Sequence, residues 1–240
     1  MSGALDLITL ALDTATASPS AAILDGAVSV AELWLAPESG AGRRVLEVGH
    51  GLLGALGMDA GDLGRIVVGV GPGGFTGLRI GLATALGLGQ SLGIPVVGAH
   101  SLEALALGIA QAEPGAEVVV PVLDARRREL FCAAYRVGPG ADLTTLVPPL
   151  ALAPDDLAGR VASLGTPAAV GGPGVDAAGD AFARAGVPVL HQASPGHRLR
   201  AALLGVRVEA GAGVPARPVY ARLPDAEVNR VAALEAGGPR

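Results

Sequence analysis

The sequence contains no lysine, because all 17 of its basic residues are arginine. A P-loop needs the lysine of G-x-x-x-x-G-K-[ST], and Schiff-base chemistry needs a side-chain amine, so both classes of site are excluded. There is one cysteine, Cys132, which cannot form an internal disulfide and suits a reducing cytoplasm. Its place in the alternating run "ELFCAAYRV" predicts an inward-facing strand residue.

Other chemical signatures are absent as well. The four histidines form neither H-x-x-x-H nor H-E-x-x-H, and no G-x-S-x-G motif occurs, so we predict neither a metal site nor a serine nucleophile. The start, "MSGALDLITLALDTA", carries Asp6 and Asp13 and is typical of a strand, so we expect a cytoplasmic protein without a membrane segment. The net charge of −5 argues against a broad electrostatic surface for nucleic acid.

A glycine-rich stretch, "IVVGVGPGGFTGLRIG", satisfies G-x-G-x-x-G with Gly69, Gly71 and Gly74. A dinucleotide site also needs an acidic residue at the end of the next strand, but that strand ends in "VVGAHS". Pro72 removes an amide that could face a phosphate. The motif therefore predicts a tight turn from a strand into a helix, with Thr76 as the cap of that helix.

The order of predicted elements is β-β-β-α-β-α-β-α, which is the ribonuclease-H-like unit of actin-like ATPase folds rather than a Rossmann alternation. Asp25-Gly26 predicts a type I′ hairpin, and apolar periodicity predicts helices over Arg43 to Leu56, Gly77 to Leu92 and Ser101 to Gln111. We assign residues 1–112 to this unit. Residues 113–240 restart with a hairpin and predict a reduced second copy, with an irregular region from Gly138 to Gly174.

The second of these helices has an outer arc of small and weakly polar residues on which Arg79 is the single charge. Such an arc lets another backbone approach closely, and this approach would offset the helical cost of its glycines. We therefore predict a helical interface. Its candidate residues are Arg43, Glu47, His50 and Gly54 of the first helix and Thr76, Arg79, Ile80, Ala83, Thr84 and Gly87 of the second. The alternative, that Gly and Ala reflect only a biased genome, stays open.

Four blocks of the sequence are distinctive: "LALDTATASPSAAILDG", "GVGPGGFTGLRIGLATALGLGQSLGIPVVGAHSLEALA", "PVLDARRRELFCAAY" and "RPVYARL". Together these blocks resemble the bacterial TsaB (YeaZ) family. The resemblance implies an actin-like α/β fold and a non-catalytic subunit that pairs with a TsaD-type enzyme to make threonylcarbamoyladenosine beside the anticodon of tRNAs that read ANN codons. It also implies a TsaE-type ATPase as a further partner, a homodimer when the chain is alone, and contact with tRNA only within the complex.

The same resemblance bears on cofactors. The catalytic relative carries a metal-binding histidine pair, and Ser101 and Leu105 occupy those positions here. Asp13, Thr14, Ala15 and Thr16 match the first phosphate loop of actin-like ATPases, whereas the second loop corresponds to "LDARRREL", whose arginines cannot form a close backbone cradle. We therefore expect no cofactor bound tightly by this chain alone. The family leaves room for ATP or ADP at the interface of the complex.

Arg126, Arg127 and Arg128 form a triplet on a predicted hairpin. They are either a solvated hairpin end or a contact with tRNA or another subunit in the complex. Two alternative functions stay open at this point, an independent actin-like ATPase or kinase and a metallopeptidase. The missing phosphate loop disfavours the first, and the missing metal ligands disfavour the second.

Overall fold

The structure is a computed structural model that describes residues 7–38, 40–164 and 168–221. The strands are β1 Ile8–Asp13, β2 Ser20–Asp25, β3 Val28–Trp34, β4 Arg65–Gly71, β5 Val96–His100, β6 Val118–Arg126, β7 Glu129–Val137, β8 Leu143–Leu152, β9 Ala168–Gly171 and β10 Val214–Pro215. The α-helices are α1 Val45–Ala55, α2 Phe75–Leu92, α3 Ser101–Ala112, α4 Pro154–Ala162, α5 Val175–Ala178, α6 Ala181–Arg184 and α7 Ala201–Arg207.

The first sheet has the strand order β10-β5-β4-β1-β2-β3. Strands β1, β2 and β3 are antiparallel neighbours, while β4 lies parallel to β1 and β5 parallel to β4. Strand β4 is buried along nearly its whole length, as expected for a parallel strand covered on both faces. This arrangement confirms the predicted ribonuclease-H-like α/β unit.

The second sheet repeats this arrangement in reduced form, with the order β8-β7-β6-β9. Strands β6, β7 and β8 are antiparallel and β9 is parallel to β6, which corresponds to the first four strands of the first unit. After β9 the stretch "VPVLHQ" contributes one bridge, between Val170 and Val189. The second unit thus stops short at the place of the fifth strand.

Three elements, β8, α4 and β9, lie in the region that the sequence predicted to be irregular. Strand β8 contains Pro148 and Pro149, and it is an edge strand, where a missing backbone donor does not interrupt the sheet. Helix α4 begins at Pro154, a position where proline is favoured because the amide has no partner in the helix. The prolines of this region therefore lie in an edge strand and at the start of a helix, and not in an irregular loop.

The elements stack in layers. Helices α1 and α2 cover one face of the first sheet, and α3 and α7 cover the other face. Helix α3 also packs against β6, β7 and β9, so it is shared by the two sheets, and the second sheet is covered on its far side by α4 and α6. Within the described ranges no helix is both long and apolar enough to cross a membrane.

Three local predictions were wrong. The first hairpin has Gly26 and Ala27 as its two turn residues, and Gly26 alone has a positive φ, so Asp25 remains in the strand. Helix α2 begins at Phe75 with Gly74 as its cap, which places Thr76 inside the helix. The apolar periodicity that predicted the first helix also placed Leu46 and Leu56 on its buried side, but both are exposed, because helix α1 buries Gly49 instead, close to the side chain of Leu10.

An ion pair joins the two units. Arg207 of α7 is 8% exposed and donates from Nε and Nη2 to Oε2 of Glu103 on α3, over 2.9 and 2.6 Å. Its Nη1 also donates to the carbonyl of Ala141, which precedes β8. One guanidinium on α7 therefore binds a carboxylate of α3 and a carbonyl before β8, and so links three separate segments.

We expect Arg207→Met to lower the free energy of unfolding by roughly 2–3 kcal/mol, because Glu103 would keep a largely buried, unpaired carboxylate. The matched control is Arg184→Met, which removes an exposed ion pair with Asp155 and should leave the stability unchanged. Urea unfolding of both variants measures the difference. Equal effects of the two substitutions would contradict a stabilising role for the Arg207 contacts.

Candidate functional site

A groove of about 600 Å³ lies between the two units. Its walls come from the loop after β1, the turn between β4 and α2, the hairpin between β6 and β7, and the last described segment of the chain. The groove is lined by, among others, Thr14, Ala15, Thr16, Phe75, Arg126, Arg127, Phe131 and Tyr220. The volume lies in the range of small-ligand sites, and most of the lining is apolar.

Asp13 belongs to the candidate phosphate loop but points away from the groove. Its side chain is buried. Oδ1 accepts a hydrogen bond from the Ala15 amide over 2.8 Å, and Oδ2 accepts one from the Ser101 hydroxyl over 3.0 Å. Burial raises the pKa of Asp13 to about 6, although these two hydrogen bonds oppose the shift. The carboxyl group fastens the loop to helix α3, while Thr14 to Thr16 face the groove.

The loop is clasped by helix α2 through glycines. A Cβ on Gly77 or Gly81 would overlap atoms of Thr14, and a Cβ on Gly73 would lie 2.5 Å from that of Ala15. The Thr14 hydroxyl donates to the Gly77 carbonyl over 2.7 Å, and the Gly74 amide donates to the Ala15 carbonyl over 2.7 Å. The glycine-rich motif therefore serves a close internal contact between strand, loop and helix.

The same observation corrects part of the reasoning on helix α2. Of its four glycines, Gly77 and Gly81 pack on Thr14, and Gly89 packs on Val96. Close approach inside the chain explains these three. Gly87 differs, because a Cβ there would meet no atom of the described residues within 4 Å outside the backbone of its own helix.

The arginine triplet occupies an unusual backbone conformation. Arg126, Arg127 and Arg128 have φ values of 63°, 54° and 61°, the left-handed region that usually holds Gly or Asn. Because Arg126 pairs with Glu129, Arg127 and Arg128 form a two-residue turn. Each non-glycine residue in the left-handed region costs roughly 1–2 kcal/mol of conformational energy. Glycine would avoid this cost, and the chain uses glycine at 37 other positions. Three side chains of one type are thus held where their backbone is unfavourable.

An aromatic pair forms the opposite wall. The rings of Phe75 and Tyr220 lie 5.5 Å apart, and the guanidinium of Arg79 sits 3.9 Å above the Phe75 ring. Phe75 is 42% exposed. The chain has one Trp, two Tyr and three Phe, and three of these six residues, Phe75, Phe131 and Tyr220, line the groove. Aromatic side chains are therefore concentrated at this site.

The residues at the positions of the relative's metal-binding histidines have other contacts. Ser101 is buried and donates to Asp13, and Leu105 lies in the core shared by α3 and the two sheets. Throughout the described ranges, no three His, Cys, Asp or Glu side chains come together in a way that could hold a metal ion. Cys132 is buried in β7 as predicted, and burial raises the pKa of its thiol to about 11.

Nine of the ten candidate interface residues lie on helices α1 and α2, on the face turned away from the first sheet, and Arg43 lies in the short 3-10 helix Ala41–Arg44 just before α1. Ile80 and Thr84 are half-buried, and the other eight, Arg43, Glu47, His50, Gly54, Thr76, Arg79, Ala83 and Gly87, are exposed. Two leucines that the sequence analysis did not include, Leu46 and Leu86, are 45% and 47% exposed on the same helices. The two helices thus present apolar side chains among small residues.

Sequence reasoning missed the aromatic wall of the groove. Phe75 and Tyr220 are 145 positions apart, and no pattern in the sequence pairs them. A signal was nevertheless present, because each aromatic residue lies in a block that carries the family resemblance, "GPGGFTGLRIG" and "RPVYARL". In a chain so poor in aromatic residues, an exposed ring in such a block indicates a contact surface.

The buried carboxyl group makes stability depend on pH. Because the pKa of Asp13 is higher in the folded chain than in the unfolded one, its stabilising effect is full below about pH 4 and is lost as the pH rises through about 6. We expect Asp13→Asn to raise the free energy of unfolding at pH 8, by an amount on the order of 2–3 kcal/mol, and to have little effect near pH 4. Urea unfolding across this range measures it. A constant difference between the variant and the parent chain would contradict the assignment.

The comparisons with known proteins agree with this geometry. The family described as "TsaD: tRNA N6-adenosine threonylcarbamoyltransferase" matches residues 42–167, which are 126 of 240 residues. The tRNA threonylcarbamoyladenosine biosynthesis proteins TsaB of Escherichia coli and Bacillus subtilis are each 35% identical over 127 residues, 53% of this chain and 54% of theirs. The chain thus spans about half the length of these curated relatives, and less of some mycobacterial ones.

Solved structures match over a longer part of the chain. YeaZ from Pseudomonas aeruginosa is 27% identical with a TM-score of 0.69, over 89% of this chain and 99% of that one. A second Pseudomonas aeruginosa structure, an uncharacterized protein similar to peptidase YEAZ, is 26% identical with a TM-score of 0.72, over 90% and 100% of the two chains. The family model covers more than half of the chain, and the TsaB and YeaZ relatives match it in sequence and in structure. The chain therefore belongs to the family described as "TsaD: tRNA N6-adenosine threonylcarbamoyltransferase" and, within it, to the TsaB (YeaZ) proteins.

Proposed function

We propose that this chain is a non-catalytic subunit of the complex that makes threonylcarbamoyladenosine in tRNA, and that it pairs with a TsaD-type catalytic subunit. The TsaB relatives, which are tRNA threonylcarbamoyladenosine biosynthesis proteins, and the matched family support the pathway. The single observation that supports a pairing role is the outer face of α1 and α2, where Leu46 and Leu86 are exposed among small residues.

We further propose a cytoplasmic location, in keeping with the single buried cysteine.

The face of α1 and α2 suits helix packing for a physical reason. Ala83 and Gly87 are one turn apart on the exposed side of α2, and their small side chains allow the backbone of another helix to come close. Leu86 beside them supplies apolar area that association would bury. We propose that this face binds the catalytic subunit, and a second copy of the chain when that subunit is missing. A TsaE-type ATPase would then join the assembled pair.

The alternative of an independent ATPase or kinase rests on the groove, which one candidate phosphate loop lines. Arginine side chains occupy the place of the second loop, and Asp13 is turned inward. Asp124 of the second segment lines the groove, but its carboxylate is paired with Arg126. The two segments therefore provide one candidate phosphate loop and no second backbone cradle. We therefore propose no tightly bound cofactor in the isolated chain. Any ATP or ADP would bind at the interface of the complex.

Gly87→Arg tests the interface. The new side chain should fit without disturbing the fold, and melting should stay unchanged or rise slightly, because arginine favours a helix over glycine by up to about 1 kcal/mol. In the interface it would bury an unpaired guanidinium, so affinity for the catalytic subunit should fall at least about a hundredfold, or some 3 kcal/mol. Calorimetric titration with the purified catalytic subunit measures the affinity.

Gly159→Arg is the matched control, since Gly159 is another exposed helical glycine with no described atom within 4 Å of an added Cβ beyond its own helix. It lies in α4 of the second unit and should leave the affinity unchanged. If a well-folded Gly87→Arg chain bound as tightly as its parent, the interface would lie on another face.

A second prediction concerns activity. The isolated chain should neither hydrolyse ATP nor modify tRNA, because its candidate site has one phosphate loop and its histidine-equivalent positions hold Ser101 and Leu105. Phosphate release and formation of the modified nucleoside are the two measurements, before and after mixing with the catalytic subunit. Turnover that stays with the chain through repeated purification and metal chelation would refute the non-catalytic assignment.

A further inference from the structure

We propose that the groove between the two units binds an unpaired segment of RNA, with phosphates held by the Arg126 to Arg128 hairpin and a base stacked on the Phe75 and Tyr220 wall. This inference rests on the proposed function, in which tRNA is the substrate of the complex. It adds a site at the start of α2, whereas the helix face proposed for the partner subunit is centred on Ala83 and Gly87 farther along the helix, and Arg79 lies between the two. The two features that support it, a strained basic turn and an aromatic pair in which Phe75 is exposed and Tyr220 half-buried, are independent of each other.

The hairpin supplies the contact with phosphates. All three arginine side chains are exposed, and Arg126 and Arg127 line the groove. Asp124 lies 3.2 Å from Arg126, and Glu129 closes the hairpin, so the three arginines leave the turn a net charge of +1, that is 3 minus 2, on a chain whose total is −5. Arginine at three successive left-handed positions is backbone strain at a surface turn, and such strain is typical of functional sites. The planar guanidinium suits phosphate oxygens, which it can bind in pairs.

The opposite wall supplies the contact with a base. Phe75 and Tyr220 are tilted by 32° to each other, and Arg79 covers one ring. Proteins bind unpaired RNA by stacking its bases on aromatic rings and on guanidinium planes. Basic residues nearby bind the phosphates of the same strand. Phe131 makes the floor of the groove apolar. This combination of rings and arginines matches a nucleotide with both its base and its phosphate.

The aromatic wall decides between RNA and an acidic protein segment. Carboxylates would satisfy the arginines equally well, but they would give no role to a pair of rings at the groove, with Phe75 exposed, in a chain with six aromatic residues. A groove of about 600 Å³ holds one or two nucleotides, not a duplex. A free mononucleotide has the same chemistry as one unit of the strand, so the experiment must separate these two sources.

The test measures the affinity of the assembled complex for an unmodified tRNA transcript that reads an ANN codon, at several salt concentrations. Each phosphate contact that is lost lowers the slope of log affinity against log salt by about one. We expect Arg126, Arg127 and Arg128→Asn together to lower this slope by about two to three. Asparagine accepts the left-handed backbone better than arginine, so the turn should keep its shape.

Two further variants complete the design. Phe75→Ala with Tyr220→Ala should weaken tRNA binding about 5- to 100-fold and leave the slope unchanged, because stacking involves no phosphate charge. The charge-matched control replaces the exposed Arg136, Arg160 and Arg184 with glutamine. It removes the same three charges away from the groove and should change the slope by less than one. Affinity for the catalytic subunit is measured for every variant.

Each outcome has a definite meaning. An unchanged slope in an assembled complex overturns the inference and leaves the proposed function standing. A loss of affinity for a protein subunit without a change in tRNA binding makes the hairpin a protein contact, and arginine-dependent binding of AMP or ATP without tRNA binding makes the groove a mononucleotide site; either result also overturns it. If the parent chain fails to assemble with the catalytic subunit, the proposed function fails, and the same titration on the isolated chain decides the inference.

Discussion

The loop that follows β1 is held by close contacts with α2, α3 and β4, and the arrangement of the first unit depends on it. Asp13 ties the loop to α3 through Ser101, and Thr14 lies against Gly77 and Gly81 of α2. Gly69 of β4 leaves the space that the Asp13 carboxylate occupies. Strand, loop and both helices can approach this closely only because the facing residues lack side chains.

This packing explains why a sequence that resembles a nucleotide-binding motif has another role. In a dinucleotide site, glycines let a phosphate approach the backbone at the start of a helix. Here Gly73, Gly77 and Gly81 let the chain's own Ala15 and Thr14 approach. The same contacts turn the Asp13 side chain inward, where its carboxyl group holds the loop to α3 through Ser101. Burial there raises the pKa of Asp13. The loop that lines the groove is therefore rigidly placed, although its acidic residue is not exposed there.

The same architecture separates two surfaces. Helices α1 and α2 cover the outer face of the first sheet, whereas the groove opens between the ends of the two units, where β1, β4 and the β6 to β7 hairpin meet. Helix α2 belongs to both regions, because Phe75 at its start lines the groove and Gly87 near its end faces outward. A partner on the helix face would thus leave the arginine hairpin accessible to a second, anionic partner.

The sequence by itself determined the strand and helix order of the first unit and the existence of a shortened second one, since apolar periodicity and turn residues act over a few positions. It also located the exposed face of α2, because a helix has one period along its length. It did not reveal β8 and α4, since Pro148, Pro149 and Pro154 break local patterns but fit an edge strand and a helix start. Only the tertiary structure joined Arg126, Phe75 and Tyr220 in one groove and explained Gly77 and Gly81 by contact with Thr14. Such contacts connect residues far apart in the chain, and their geometry depends on how sheets and helices pack together.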